Sequence, residues 1–286
     1  MENNGRVLHI DIPIERREFD LAGSRISVLL AGTPGAAPPV LAVHGFGSSA
    51  QYSWQSTGHL IGLASAGRYV IAPDLLGHGH SAKPSDPAAY TLPGLVELAM
   101  TALARFGRGA DPAGGADPAA AFIGPADLLG YSLGSRICWE AVTRGGPWRR
   151  AVIGGYDGRA LLAEVDARSL RRALRDDPDM LVDSVAVQQL SPGTRRVVEI
   201  ARAVPGNSVS ALTAVVGGIF GTGPVTGAPQ LPLMLVAGSD DPFAAGCERW
   251  ANSLPDATVL TVPRRDHVST LPAGVFRRAV TDFLGR

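Results

Sequence analysis

The sequence predicts an α/β fold: a mostly parallel sheet of eight strands flanked by helices, with a helical segment inserted after the sixth strand. Three observations lead there. Short runs such as Val40–Val43 are apolar at every position, the pattern of a strand covered on both faces. These runs alternate with amphipathic stretches through the first half of the chain and again from residue 233 onward, as βαβ units do. Between them, residues 159–220 carry helical signals alone.

Taken in order, residues 17–30 (REFDLAGSRISVLL) form a hairpin, turning at Ala22-Gly23 and alternating through Ile26, Val28 and Leu30. A Gly/Pro-rich loop leads into the strand Val40–Val43, and residues 69–72 (YVIA) form the next, after a helix over 59–66. Leu95, Leu98, Ala99, Ala102, Leu103 and Phe106 recur at helical spacing, giving a helix over Leu92–Phe106. The poorest segment is 107–125, where GADPA occurs twice, at 109–113 and 115–119; such composition predicts an exposed loop. Strand 126–129, helix 135–143 and strand 151–153 continue the alternation.

In the insertion, Asp177-Pro178 and Ser191-Pro192 each read as an N-cap followed by proline at the first helical position. Leu170, Leu174, Leu181, Val185, Val197, Ile200, Leu212, Val215 and Ile219 supply its apolar faces. Residues 1–158 and 221–286 are thus expected to form the core, and 159–220 a helical cap. Strand 233–237, helix 244–254, strand 258–262 and helix Gly274–Leu284 complete the series.

Composition narrows the function. The 286 residues balance 26 Lys+Arg against 26 Asp+Glu, removing the electrostatic case for nucleic acid or an anionic membrane surface. Lys83 is the sole lysine among those 26 cations. The arginine doublets, among them Arg149-Arg150 and Arg195-Arg196, are interleaved with acids and read as a solvated face. The longest nearly uncharged apolar stretch, 211–221, is too short to span a bilayer. Charged residues near the N-terminus argue against a secretory signal. Cys138 and Cys247 lack any CxxC spacing and are expected as free thiols in a reducing cytoplasm.

The segment that carries chemistry is Gly130-Tyr131-Ser132-Leu133-Gly134, a G-x-S-x-G between a predicted strand and a predicted helix. Small residues at both ends permit a sharp turn that leaves Ser132 standing above the sheet. The helix start then offers N–H groups to an anion forming beside it.

With that context the sequence resembles the α/β-hydrolase fold family over nearly its whole length, and further segments match in order. His44-Gly45-Phe46-Gly47 follows the third strand, where the family places an oxyanion-hole turn. The stretch 74–81 (DLLGHGHS) looks like the family's D-x-x-G-x-G-x-S loop. Gly238-Ser239-Asp240-Asp241 stands where the family carries its acid, and Asp266-His267 where it carries its base.

The resemblance implies acyl transfer to water, with Ser132 as nucleophile, His267 as base and Asp241 as acid. Family spacing G-x-x-D selects Asp241, and Asp240 is the alternative. Backbone N–H groups of Phe46 and Leu133 would hold the oxyanion. Asp266 adjoins His267, but successive side chains diverge. No cofactor or metal is implied; His44, His78 and His80 fall in glycine turns. The serine disfavours relatives that use an aspartate nucleophile, epoxide hydrolases among them. The expected substrate is a carboxylic ester of small-to-medium hydrophobic character. Lactones, thioesters, C–C bonds and lyase or cyclase chemistry on the same scaffold stay open. Trp54, Met100 and Phe220 are possible pocket walls.

Overall fold

The computed structural model describes residues 12–108, 124–162, 165–175 and 185–285. The GADPA repeat, Asp177-Pro178 and Leu181 lie outside the described residues, as do Glu2, Arg6 and Asp11 among the N-terminal charges.

Strands β1 (Ile14–Leu21), β2 (Ser24–Ala31), β3 (Val40–Val43), β4 (Val70–Pro73), β5 (Ala126–Tyr131), β6 (Trp148–Gly154), β7 (Leu233–Gly238) and β8 (Ala257–Val262) form one sheet. Their spatial order is β1-β2-β4-β3-β5-β6-β7-β8. The hairpin is longer than expected, pairing Ile14 with Ala31 at its open end. Its turn residues Ala22 (φ 50°) and Gly23 (φ 77°) are both left-handed, the geometry whose twist suits a two-residue hairpin. The hairpin joins β4 antiparallel, and every pairing from β4 to β8 is parallel.

Ten α-helices occur among the described residues: α1 (His59–Ser65), α2 (Leu92–Phe106), α3 (Leu133–Thr143), α4 (Ala167–Arg175), α5 (Val185–Gln188), α6 (Pro192–Ala203), α7 (Val209–Ile219), α8 (Cys247–Ala251), α9 (His267–Thr270) and α10 (Gly274–Leu284). None is long and apolar enough to cross a membrane.

The sheet is covered on both faces. Leu41, Val43, Leu128 and Ile153 join a core containing Leu98 of α2 and Ile137 of α3. The alternate residues Val40, Ala42, Leu129 and Val152 join a second core with Leu60 of α1 and Phe276 of α10. This explains the uninterrupted apolar strands: each position is buried, on one face or the other. Cys138 and Cys247 are free and buried. Burial raises both thiol pKa values, that of Cys247 to about 12, so neither is a ready nucleophile.

Helices α4 to α7 lie in the chain between β6 and β7. Ser191 caps α6 as its sequence implies, accepting from the Thr194 amide. Helix α4 packs on α6 and α7, and α7 on the turn Pro87–Ala89.

One local expectation needs correcting. The helix expected over 244–254 is a 3₁₀ turn, Pro242–Ala244, followed by the shorter α8. Gly246 separates them, its amide donating to buried Asp157 rather than along a helix. Two arginines outside the doublets lie in the core. Arg68 is buried against Asp127 at 2.5 Å, and Arg136 is buried against Glu140 at 2.8 Å. A guanidinium enters a core when a carboxylate meets it there, and the sequence separates Arg68 from its partner by 59 positions.

Candidate active site

Ser132 occupies the turn between β5 and α3 with φ 56° and ψ −118°, a conformation that costs a non-glycine residue about 1–3 kcal/mol. The neighbouring glycines make the turn possible. A Cβ on Gly130 would stand 2.7 Å from the Gly134 carbonyl and Ser135 backbone, and one on Gly134 would strike the Val43 carbonyl. The Ser132 amide donates to the Gly154 carbonyl at 2.8 Å, fastening the turn to β6. Leu133 is the first residue of α3, so its N–H is one of those without an intrahelical acceptor.

His267 begins α9, and its Nδ1 stands 2.9 Å from Asp241 Oδ2. Both residues are buried. Asp241 is held in turn by the Phe243 amide, which donates to its Oδ1 at 2.9 Å. The two neighbouring aspartates are placed differently. Asp240 is exposed and accepts from the Ser239 hydroxyl. Asp266 caps α9, accepting from the Val268 and Ser269 amides. Those capping bonds are what turn it away from the imidazole.

Two aromatic residues that sequence reasoning passes over frame His267. Tyr131 donates its hydroxyl to the His267 carbonyl at 2.6 Å. Burial, then the Asp241 carboxylate, raise the Tyr131 pKa well above its usual value, so the phenol keeps its proton. Phe243 packs edge-on against the imidazole, ring centroids 4.8 Å apart. Tyr131 sits inside the serine motif and Phe243 beside Asp241, but nothing in the sequence says that both reach one histidine.

The loop after β3 lies against the serine. Gly45 approaches Ser132 closely enough that a Cβ there would stand 3.1 Å from the serine Cβ. His44 is fully buried; its Nδ1 meets the Gly45 carbonyl at 2.8 Å and its Nε2 accepts from the Leu75 amide at 3.0 Å. Those two bonds use the whole neutral ring, and burial lowers its pKa despite the Asp74 carboxylate. Asp74 braces the same loop, accepting from the Ala50 amide at 2.8 Å and the His80 amide at 2.9 Å. His78 packs against His44 and Phe46, and burial lowers its pKa to about 3. These histidines therefore act as turn and packing groups. Among the described residues, no cluster of three or more His, Cys, Asp or Glu could hold a metal ion.

Two cavities meet at Ser132 and His267. The smaller, of about 70 Å³, is walled by Leu133, Leu161, Leu162, Val197, Ile219 and Phe243. The larger, of about 420 Å³, is more open and includes Tyr52, Thr57, Arg196, Glu199 and Val268. Phe46 and Ile200 border both. Arg196, expected in the solvated set, reaches Asp266 Oδ2 at 2.7 Å and Glu199 Oε2 at 2.9 Å. It thereby ties α6 to the segment that carries His267. Trp54, Met100 and Phe220 border neither cavity. Trp54 is fully buried beside His59, Met100 packs on the core, and Phe220 is half exposed.

Residues 40–278 match the family model described as "Alpha/beta hydrolase family". The chain belongs to the alpha/beta hydrolase family. Among curated relatives, it is 44% identical over 80 residues to "Epoxide hydrolase A" of Mycobacterium tuberculosis, covering 28% of this chain and 23% of that one. It is 31% identical over 126 residues to "Epoxide hydrolase 3" of Siraitia grosvenorii, covering 44% and 33%. The matched part thus spans a third or less of those relatives' length. Solved structures with this alpha/beta hydrolase architecture include the enol-lactonase of Burkholderia xenovorans LB400, with TM-score 0.71, 19% identity, and 94% and 100% of the two chains covered. A thermophilic esterase of Thermogutta terrifontis superposes with TM-score 0.67 at 19% identity, covering 94% and 98%. At that identity the likeness is one of fold.

Proposed function

We propose that this alpha/beta hydrolase is a serine hydrolase that cleaves a carboxylic ester, or a related acyl bond, of a small-to-medium hydrophobic substrate. The observation that carries the reading is one junction: Ser132, strained on its turn, shares two cavities with His267, whose far nitrogen meets buried Asp241.

In this reading His267 takes the Ser132 proton at Nε2 as Oγ bonds to the substrate carbonyl carbon. The resulting oxyanion lies within reach of the Leu133 and Phe46 amides. Each such donor is worth ~10²–10³ in rate. Collapse breaks the bond to the alcohol, which leaves with the proton from His267. Water, deprotonated by the same imidazole, then attacks the acyl-serine and returns the enzyme. Asp241 keeps Nδ1 protonated and so leaves Nε2 free to accept.

We assign 1–158 and 221–286 to the core and 159–220 to a cap; Val197, Ile200 and Ile219 on the cavity walls support that division.

The relatives named epoxide hydrolases favour a second reading, epoxide opening. Chemistry at Ser132 weighs against it. A carboxylate nucleophile leaves an alkyl ester, whose carbonyl water can attack; a serine would leave an ether with no such carbonyl. The deciding experiment combines a fluorophosphonate probe, p-nitrophenyl esters and styrene oxide. Labelling and ester turnover that vanish together in Ser132→Ala support the serine hydrolase. Epoxide turnover that survives that substitution would overturn it.

A further inference from the structure

The two cavities at Ser132 differ in size and access, and the difference has a chemical direction. The small one is lined mainly by aliphatic and aromatic side chains, Ile219 of α7 and Leu161 among them, together with Asp157 and Arg159. At ~15–30 Å³ per small group, about 70 Å³ holds roughly two to four carbon atoms. The large one opens more widely, and its walls likewise mix apolar side chains with polar ones, Ser53, Thr57, Tyr52 and the Arg196–Glu199 pair.

Ester hydrolysis through an acyl-serine treats the two halves of its substrate unequally. The alcohol departs first, while the acyl group remains bound and water must then reach its carbonyl. The half that stays suits the confined cavity, and the half that leaves suits the groove through which water follows it.

We propose that the small cavity is the acyl pocket, so that the substrate is an ester of a short acyl group, acetyl to butyryl in size, with a bulkier alcohol. The assignment rests on the serine-hydrolase reading above. Ile219 is the side chain that sets acyl length: it is buried on α7 and lines the small cavity but not the large one.

The test is kcat/KM for p-nitrophenyl acetate, butyrate and octanoate, run on the wild-type protein and on Ile219→Ala. The wild type should lose at least tenfold between butyrate and octanoate, since four further methylenes have no space, and Ile219→Ala should recover most of that loss. Tyr52→Ala should instead alter the ranking of butyrate esters of different alcohols. Ser132-dependent turnover with equal rates for butyrate and octanoate would overturn the pocket assignment and leave the hydrolase reading intact. So would an acyl-length profile that responds to Tyr52→Ala and ignores Ile219→Ala.

Binding separates the opposite failure. Calorimetry on Ser132→Ala with N-(4-nitrophenyl)butanamide and its octanamide homologue reads the cavity without turnover. Tighter binding of the butanamide, reversed by adding Ile219→Ala, would uphold the pocket even if no ester were cleaved. Equal binding of both would sink it.

Discussion

Replacing Asp241 by asparagine is the sharpest perturbation of this site. Asp241 uses both carboxylate oxygens: Oδ1 accepts from the Phe243 amide at 2.9 Å and Oδ2 faces His267 Nδ1 at 2.9 Å. Asparagine has one carbonyl oxygen. The backbone amide of Phe243 is an obligate donor, so the asparagine oxygen stays with it and its NH₂ turns toward His267. Nδ1 must then accept, which places the ring proton on Nε2 and blocks it from taking the serine proton. In a serine protease, loss of the base through the wrong tautomer costs ~10⁴ in kcat, equivalent to ~5 kcal/mol of transition-state stabilisation, and a loss of that order is expected for Asp241→Asn. Shape is conserved, so the fold should persist. Asp240→Asn makes the internal comparison. Its side chain is exposed, its partner is the Ser239 hydroxyl, and an amide oxygen accepts that bond equally well; kcat should stay within about threefold. Steady-state turnover of p-nitrophenyl acetate, with calorimetric Tm as the folding check, reads both. A folded Asp241→Asn protein within about tenfold of wild type, or a comparable loss in Asp240→Asn, would refute the reasoning.

Three other outcomes follow from the same geometry. Because Ser132 sits at φ 56°, Ser132→Gly should be more stable than Ser132→Ala by about 1 kcal/mol, read from urea midpoints; equal midpoints would remove the strain argument. Burial lowers the pKa of His59 to about 4, its Nε2 being bonded to the Leu271 carbonyl and its ring lying between Trp54 and Phe276. Below pH ~6.5 the unfolded chain takes up a proton at this histidine that the native site refuses, so His59 alone should lower stability by on the order of 3 kcal/mol from pH 6.5 towards 4, beside like contributions from buried His44 and His78. His59→Gln should flatten that fall in a series of denaturation curves, and an unchanged slope would count against it. Arg196→Lys, whose single ammonium replaces the two guanidinium nitrogens that separately reach Glu199 and Asp266, should lower kcat/KM about three- to tenfold by loosening α6 from the His267 segment. Wild-type kinetics in that variant would show the tie to be dispensable.

Much of the framework is legible in the sequence because the local signals agree with the fold. Val40–Val43, Leu92–Phe106 and Gly274–Leu284 form over the predicted residues, since continuous burial and amphipathic spacing each leave a periodic trace. The strands β5 and β6 extend beyond their apolar runs because neighbours supply pairing that their own side chains do not announce. His267 opens a short helix that no periodic run announces, formed through a capping box in which the Ser269 hydroxyl and Asp266 carboxylate both take part.

The sequence by itself determined the order of strands and helices, the serine turn with its two small flanking residues, and the candidates for the acid and base. Those depend on composition and spacing within a few residues, where chain connectivity enforces the contact. Only the tertiary structure decided which aspartate faces His267, that Tyr131 and Phe243 steady it, and that Arg196 belongs to the site rather than to a solvated face. These contacts join residues up to 136 positions apart. Side chains that distant meet only once the sheet has brought the ends of its strands together, and no local pattern encodes the meeting.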